Sequence, residues 1–369
     1  MERLPENVQS VFEGILEDLR SRESVVGIGL FGSWVRGDAV PVSDVDLLVI
    51  DSRDFDYEYV ERAEIDGVFL DLDYVPEKWI LKQFPPEIDQ KLDEVEILYD
   101  RDGKFARAKS LMSKMRWTAE RVEIRTGDYL MEADTYLSRG ISALNKDDFQ
   151  SAKVNAAIGL DAIMKLLVEV NKQPFSNSHF IRTLESSTRK FGTTNLFEDY
   201  LELTMPAKLN RQNTEKKLAS VSDMWNETIG FVKASSPLVE TLHVRVRNDL
   251  NYYCKESFLK GLQARAISLI KDGLYFEAMH YMFRASISML ENYVWLLSNL
   301  EGGRFDYTDL FRRMKSSRVS PEGVYENAVE AFELREITRR EAEETLRRTK
   351  QIVLGIRRKR NELIAAVFS

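Results

Sequence analysis

The feature that most constrains the fold is a change in hydrophobic periodicity near residue 105. Residues 5–22 carry apolar side chains at helical spacing, and four short apolar runs bounded by turn residues then predict strands. The four runs read VVGIGLFG, SDVDLLVID, GVFLDLDYVP and DEVEILYDRDG. Beyond residue 105 the periodicity is helical, as in NAAIGLDAIMKLLVEV and EAMHYMFRASISMLENYVWLLSNL. Strands followed by helices predict a small α/β head and an all-α body.

The helical part also contains three pairs of similar segments in the same order. RGISALNKDDFQSA resembles RAISLIKDGLYFEA, HFIRTLESS resembles DLFRRMKSS, and RVRNDL resembles RKRNEL. Chance similarity between helical sequences is one explanation, and a duplicated helical bundle is the other, which we favour. We therefore predict three domains: a head over 1–105 and two related tandem bundles over 106–256 and 257–369.

Charge is spread unequally along the chain. The whole chain carries a net charge of −8, but residues 1–100 hold 9 Lys/Arg against 25 Asp/Glu, and the remainder has a balance of +8. An acidic head and a basic body predict cation binding in the first and polyanion contact in the second, although solvated surface charge would give the same counts.

Several classes of protein are disfavoured by composition. A single cysteine, Cys254, excludes an internal disulfide and a cysteine-based zinc cluster, and three histidines disfavour His-rich metal chemistry. The chain has no run near the roughly 18 apolar residues that a membrane span needs, and its start, MERLPENVQS, lacks the pattern of a signal peptide. We expect a cytoplasmic protein.

Gly27, Gly29 and Gly32 form the pattern G-x-G-x-x-G, which suggests a dinucleotide-binding turn. That turn needs a strand before the first glycine and a full helix after the last. Here the first two glycines lie inside the predicted strand. The following segment, SWVRG, reaches another glycine after one turn, and Pro41 comes soon after. The context therefore argues against a dinucleotide fold.

Two aspartates in the second predicted strand point instead to a metal. Asp44 and Asp46 are two residues apart, so a strand projects both side chains from one face. Adjacent like charges destabilise a strand, and a divalent ion such as Mg²⁺ removes the conflict because it prefers oxygen ligands. The third predicted strand repeats the spacing with Asp71 and Asp73.

The glycine turn can supply the other half of such a site. Gly32 lets the backbone approach a phosphate closely, and nearby N–H groups together with the Ser33 hydroxyl can cradle it. Arg36 can meet the same anion. A glycine turn, paired aspartates and a third aspartate predict metal-assisted phosphoryl chemistry.

The segment GSWVRGDAVPVSDVDLLVI resembles the signature of the DNA polymerase beta-like nucleotidyltransferase superfamily. It is most similar to the branch that contains minimal nucleotidyltransferases and kanamycin nucleotidyltransferase. The resemblance implies a small mixed sheet with helices on one side. The family's Gly-Ser pair falls on Gly32 and Ser33, and we expect Arg36 and Ser43 to bind the nucleotide together with them.

The same resemblance implies Mg²⁺ or Mn²⁺ as cofactor and ATP or another nucleoside triphosphate as substrate. It assigns metal binding and catalysis to Asp44, Asp46 and a third carboxylate on a later strand. The usual Asp-to-Pro spacing favours Asp71 as that third ligand, with Asp73 as the alternative. In some members the third carboxylate is also the general base.

The helical body resembles bundles of the HEPN type. Many of these are ribonucleases with an Arg-polar-x4-His motif, but RNDLNYY from Arg247 has Tyr252 and Tyr253 near the histidine position, and RNELIAA from Arg360 lacks it as well. Those arginines are therefore expected to be structural or to contact phosphate. A tyrosine at this place could alternatively accept a nucleotidyl group. The basic segment RRTKQIVLGIRRKRNEL is either a solvated face or a guide for a polyanionic acceptor.

We therefore expect a metal-dependent nucleotidyltransferase that moves a nucleoside monophosphate, preferentially AMP from ATP, onto a hydroxyl. The acceptor stays open among a small molecule, an RNA 3′ end and a protein side chain, and a homodimer that shares the site stays open too. The alternatives are a nucleotide-binding regulator without turnover and a HEPN-like RNA-binding protein or ribonuclease.

Overall fold

The computed structural model describes residues 5–368, so residues 1–4 of the predicted head lie outside the described part. The elements from the sheet region are α1 Glu6–Ser21, β1 Val25–Phe31, α2 Ser33–Arg36, β2 Val45–Asp51, β3 Tyr59–Ile65, β4 Val68–Pro76, α3 Asp89–Glu94, β5 Glu96–Asp100 and α4 Lys104–Met115. The later helices are α5 Ala119–Asn145, α6 Phe149–Val170, α7 Phe180–Lys190, α8 Thr194–Thr204, α9 Arg211–Ala234, α10 Ser236–Val239, α11 Val244–Tyr253, α12 Glu256–Lys271, α13 Tyr275–Leu300, α14 Leu310–Ser316, α15 Glu322–Ala331 and α16 Arg339–Phe368. The predicted fold class, an α/β head followed by a helical body, is confirmed.

The chain divides into two compact units whose boundaries differ from the predicted domains. Within residues 5–368, the first unit contains the chain up to Thr118 together with His243–Ala264, and the second contains Ala119–Leu242 and the chain from Arg265 onward. Helix α4, which follows the boundary predicted at residue 105, packs against the sheet and belongs to its core. Helix α16, which follows the boundary predicted at 256/257, packs on α5 and α6 within the second unit.

The first unit is built on a mixed five-stranded sheet in the order β3-β4-β2-β1-β5. β2 and β4 run parallel, and the other neighbouring pairs are antiparallel. Strand β3 was not predicted from the sequence, because its segment YVERAEI carries three charged residues among seven. An edge strand needs only one buried face, so its apolar signal is weak.

Both faces of this sheet are covered, which differs from the helices on one side that the family resemblance implies. Val45, Leu47 and Val49 of β2 pack with α1 on one face. Leu48 and Ile50 point to the other face, where they pack with α4. Asp46 shares the strand parity of this second group, so its carboxylate lies on the α4 face.

The glycines of β1 have a packing role. A Cβ at Gly29 would lie 2.3 Å from the Val95 side chain, so only glycine fits there. The helix behind Gly32, α2, is four residues long, and β1 pairs antiparallel with β2. The β-α-β crossover of a dinucleotide fold is therefore not formed at this place.

Two of the three similar pairs of segments lie within the second unit, and they make comparable hydrogen bonds there. Ser151 aligns with Glu277 in the first similar pair of segments. Each side chain accepts hydrogen bonds at the start of a helix that belongs to the other member of the second pair: α14 for Ser151 and α7 for Glu277. The Glu277 carboxylate accepts hydrogen bonds from the N–H groups of Ile181 and Arg182 at the start of α7. The Ser151 hydroxyl accepts from the N–H of Phe311, the residue aligned with Ile181, at the start of α14. The internal duplication itself stays a prediction.

The arginines considered for RNA contact lie in different units. Arg247 is on α11 of the first unit, and Arg360 is on α16, where its Nε donates to the Thr126 hydroxyl at 2.9 Å. In the basic C-terminal segment, Arg348 pairs with Asp199 and Glu202. These ion pairs favour the structural explanation of that segment. Among the described helices, none is both long and apolar enough to cross a bilayer.

Candidate active site

Three aspartates converge at one end of the sheet: Asp46 on β2, Asp71 on β4, and Asp44 directly before β2. Asp46 pairs with Asp71 in the parallel register of β2 and β4, and Asp44 lies two residues before Asp46. Each of the three offers a carboxylate oxygen, and these oxygens all lie within 4.8 Å of one another. Because paired residues on parallel strands project from the same face, the register alone brings Asp46 and Asp71 together.

Asp73 has a different environment from Asp71. Its carboxylate accepts a hydrogen bond from the Lys91 ammonium, which also pairs with Glu58. Lys91 lies on α3, so the cation reaches Asp73 from outside the strands. Asp73 therefore has its own counter-ion, whereas Asp71 belongs to the three-carboxylate group.

Arg62, which was not predicted from the sequence, contacts two of the three aspartates. It lies on β3 directly opposite Asp71. Its guanidinium donates to Asp44 Oδ2 at 2.9 Å and to Asp71 Oδ2 at 3.2 Å, and its side chain is 4% exposed. If β3 had been predicted and paired with β4, the position of Arg62 opposite Asp71 would have indicated its place beside the carboxylates.

Tyr252 is the second residue that the sequence analysis did not place here. Its hydroxyl donates to Asp71 Oδ2 at 3.1 Å, although the two residues are 181 positions apart in sequence. Tyr252 lies in His243–Ala264, the later segment of the chain that belongs to the first unit. Within that segment, Lys255 also donates to the Arg62 carbonyl at 2.7 Å.

The site holds more carboxylates than the two nearby cations neutralise. Burial raises the pKa of Asp71 to about 7, because the opposing charge of Arg62 does not cancel it and Asp44 adds repulsion. Burial likewise raises the pKa of Asp73 to about 6, against the attraction of Lys91. The pKa of Asp46 is raised well above its ordinary value by burial and then by the charges of Asp44 and Asp71. The ionised cluster is therefore costly without an additional cation.

The donor set fits a hard divalent cation. All three converging groups are carboxylates, the oxygen ligands that Mg²⁺ and Mn²⁺ prefer. The Oδ1 atom of Asp71 is buried and has no hydrogen-bond partner among the described residues. A buried acceptor without a donor is unfavourable, and a bound cation would satisfy it.

The glycine turn lies directly beside the carboxylates. Gly32 has a φ of +77°, and a Cβ there would lie 2.2 Å from Asp46 Oδ2. The turn therefore requires glycine both for its backbone conformation and for its closeness to Asp46. The Ser33 hydroxyl at the start of α2 is buried and has no hydrogen-bond partner within residues 5–368. It is available to an incoming acceptor such as a phosphate oxygen.

The remaining candidates for nucleotide binding have protein partners. Glu94 Oε1 accepts hydrogen bonds from the Gly32 N–H at 3.0 Å and from Arg36 Nη1 at 2.8 Å. A carboxylate thus lies where a phosphate oxygen was expected. The Ser43 hydroxyl accepts from the Val40 N–H at 2.9 Å and so closes the turn before Asp44.

A comparison with known protein families bears on the same region. Residues 13–121 match a family model described as "Nucleotidyltransferase domain". A curated relative, "Protein adenylyltransferase MntA" from Thermococcus cleftensis, is 48% identical over 44 residues, which is 12% of this chain. The chain spans 44% of that relative's length.

A solved structure described as a nucleotidyltransferase-like protein from Exiguobacterium sibiricum is also similar. It has a TM-score of 0.33 and 10% identity, and the alignment covers 79% of this chain and 80% of that one. Residues 13–121 are thus similar to a nucleotidyltransferase domain, and the family match and the curated relative both support a transferase of the nucleotidyltransferase class.

Proposed function

We propose that this protein transfers a nucleoside monophosphate, AMP from ATP, onto a hydroxyl group with the help of Mg²⁺ or Mn²⁺. The observation that carries the proposal is the convergence of Asp44, Asp46 and Asp71 beside the Gly32 turn. Carboxylates in excess of cations, next to a glycine turn with a free hydroxyl, suit metal-assisted phosphoryl transfer.

Asp44, Asp46 and Asp71 would hold the cation. When bound, a divalent ion neutralises charge on the phosphates and on the leaving pyrophosphate. Asp71 has a second role available, because a buried carboxyl with a pKa of about 7 can accept the proton of an attacking hydroxyl near neutral pH. The two roles match the third carboxylate of the family that the sequence resembles.

The phosphate side would be formed by the Gly32 N–H, the Ser33 hydroxyl and Arg36. The first and last of these now donate to Glu94. A triphosphate oxygen that binds there takes the place of the Glu94 carboxylate and reaches the Ser33 hydroxyl, which is buried without a partner. Backbone N–H groups in a glycine turn are well suited to such an anion.

The acceptor is less constrained than the nucleotide. The curated relative's name contains "protein adenylyltransferase", which favours AMP as the transferred group and a protein hydroxyl as acceptor. A small molecule or an RNA 3′ end would present the same chemical group to Asp71.

The proposal is tested by the double substitution Asp44→Asn with Asp46→Asn. We expect release of pyrophosphate from ATP to fall at least about a thousandfold, since removing the cation's ligands removes roughly 4 kcal/mol of charge stabilisation. The matched control is Asp54→Asn with Asp56→Asn, which has the same spacing but exposed side chains that pair with Lys78. The control should keep wild-type turnover.

Two outcomes would contradict the proposal. One is unchanged pyrophosphate release in the Asp44/Asp46 variant with a native circular dichroism spectrum. The other is a wild-type chain that binds labelled ATP and Mg²⁺ but returns the nucleotide unconverted with every acceptor class offered, which would indicate a nucleotide-binding regulator instead.

A further inference from the structure

The two oxygens of Asp71 have different surroundings. Oδ2 accepts two hydrogen bonds, from Arg62 Nη1 at 3.2 Å and from the Tyr252 hydroxyl at 3.1 Å. Oδ1 is buried and lacks a hydrogen-bond partner in the described part of the chain. One side of the carboxylate is therefore fixed by protein donors, and the other is left to an added group.

Arg62 is itself held firmly. Its guanidinium lies 5.5 Å from the ring centre of Phe69 and 5.3 Å from that of Phe258, distances at which a cation is attracted to an aromatic face. A Cβ on Gly261 would lie 3.0 Å from Arg62 Nη2, so the glycine leaves room for the side chain. Its second branch donates to Asp44 Oδ2. The guanidinium is thus a rigid fork that joins two carboxylates.

We propose that Arg62 and Tyr252 are positioning residues that hold Asp71 Oδ2 so that Oδ1 faces the divalent cation. The inference rests on the metal site of the proposed function and adds to it the residues that orient one ligand. Partners that hydrogen-bond to a metal ligand typically contribute about 10- to 100-fold to metal affinity, because they fix the ligand before the ion arrives.

A different role for Arg62 makes the opposite prediction. A guanidinium that merely fills the place of the cation would compete with it, so its removal would tighten metal binding. The unpartnered Oδ1 atom favours positioning, because Asp71 can then contact Arg62 and the cation through different oxygens.

The experiment measures Mn²⁺ binding to the full-length chain without nucleotide, with free Mn²⁺ detected by electron paramagnetic resonance. We expect Arg62→Lys to weaken binding about 10- to 100-fold, since an ammonium cannot bridge both aspartates, and Tyr252→Phe to weaken it about tenfold. The Tyr252 substitution removes one oxygen and retains the ring contacts with Tyr253 and Phe258.

Matched controls exist in the same unit. Arg53 donates to Asp51 Oδ2 at 2.9 Å and to the Tyr59 hydroxyl at 2.8 Å, a similar trio at the other end of β2. Arg53→Lys and Tyr59→Phe should leave the Mn²⁺ affinity within about twofold of wild type. They separate positioning at the site from a general loss of ion pairs.

The possible results are distinguishable. Wild-type or tighter Mn²⁺ binding in folded Arg62→Lys and Tyr252→Phe, with binding lost in Asp44→Asn, overturns this inference and leaves the proposed function standing. A wild-type chain without Mn²⁺ binding or turnover overturns both. Labelled nucleotide attached to Tyr252, with unchanged Mn²⁺ affinity in Tyr252→Phe, identifies an acceptor rather than a positioning residue. If Arg62→Lys does not fold, Tyr252→Phe alone decides.

Discussion

Both units of this protein contain buried aspartates, but the neighbouring side chains neutralise the aspartate charge in the second unit much more completely than in the first. In the second unit Asp161 is 2% exposed and accepts hydrogen bonds from the Tyr200 hydroxyl at 3.1 Å and His280 Nε2 at 2.8 Å. Arg284 Nε lies 3.5 Å away from its other oxygen. In the first unit, Asp44, Asp46 and Asp71 lie close together, and the Arg62 guanidinium pairs with only two of them, Asp44 and Asp71.

The pKa values reflect this difference. Burial alone would raise the pKa of Asp161, but the charges of Arg284 and His280 outweigh it and hold the pKa well below its ordinary value. For Asp71, burial dominates and the pKa rises to about 7. A carboxylate whose neighbours neutralise it stabilises the fold, whereas an incompletely neutralised cluster indicates a place for an added cation.

The largest effect on stability is expected from Asp161→Asn. The substitution leaves the Arg284 guanidinium without its closest buried partner, and breaking a buried ion pair costs about 3–5 kcal/mol. Hydrogen exchange of peptides from α6 and α13 should show faster local opening. A free energy of unfolding within about 1 kcal/mol of wild type would show that Asp161 does not stabilise the second unit, and the contrast between the two units would then be wrong.

Addition of Mg²⁺ should stabilise the first unit only. At a concentration 100 times the dissociation constant, binding to the folded state contributes about 2.7 kcal/mol. The measurement uses Cys254, the sole cysteine, which is buried in the first unit and whose labelling rate reports local opening. Labelling should slow with Mg²⁺, while exchange in α6 and α13 stays constant. Equal protection of both units would contradict a specific site.

The substitution Asp46→Asn should have the opposite sign to Asp161→Asn. It removes a buried charge that Asp44 and Asp71 repel, so in chelator we expect stabilisation of about 0.5–2 kcal/mol. Slower labelling of Cys254 at constant pH is the readout. A destabilised first unit would show that Asp46 is already neutralised by its surroundings.

The smallest and most diagnostic effect concerns pH. In the unfolded chain an aspartate ionises near about pH 3.9, whereas in the folded chain Asp71 and Asp73 hold their protons until about 7 and about 6. Without metal the first unit should therefore lose stability as pH rises from about 4 to about 7. Asp161, with its lowered pKa, should instead cost the second unit stability as pH falls below about 4.

Urea unfolding at pH 5 and pH 8 in chelator tests this prediction. A variant with Trp225 and Trp295 replaced by phenylalanine leaves Trp34, Trp79 and Trp117 as the fluorophores, all in the first unit. The midpoint should be lower at pH 8, and Mg²⁺ should reduce the difference because it binds the ionised carboxylates. A midpoint that rises with pH would contradict the raised pKa values.

Local patterns in the sequence were sufficient for the parts of the site that depend on one strand. The spacing of Asp44 and Asp46 predicted a shared face, and the parallel register then adds Asp71. Residue type and spacing alone could not decide between Asp71 and Asp73, because both side chains project from the same face of β4. The difference arises because Lys91 on α3 reaches Asp73 and Arg62 on β3 reaches Asp71.

Other parts of the molecule depend on contacts that no local pattern encodes. β3 was missed because its charges mask an edge strand, and Arg62 was missed with it. Tyr252 lies in a segment with ordinary helical periodicity, and nothing in that periodicity indicates that the chain returns to the sheet. The predicted domain boundaries differ from the observed units for the same reason.

The return of His243–Ala264 to the first unit has a consequence for synthesis. During translation the five strands are complete after residue 100, but Phe258 and Tyr252 emerge only after more than a hundred further residues have been added. A ribosome-bound chain must therefore carry its sheet with Arg62 uncovered until the second unit's first helices have left the exit tunnel. The carboxylate cluster therefore acquires its full set of contacts only late in the synthesis of the chain.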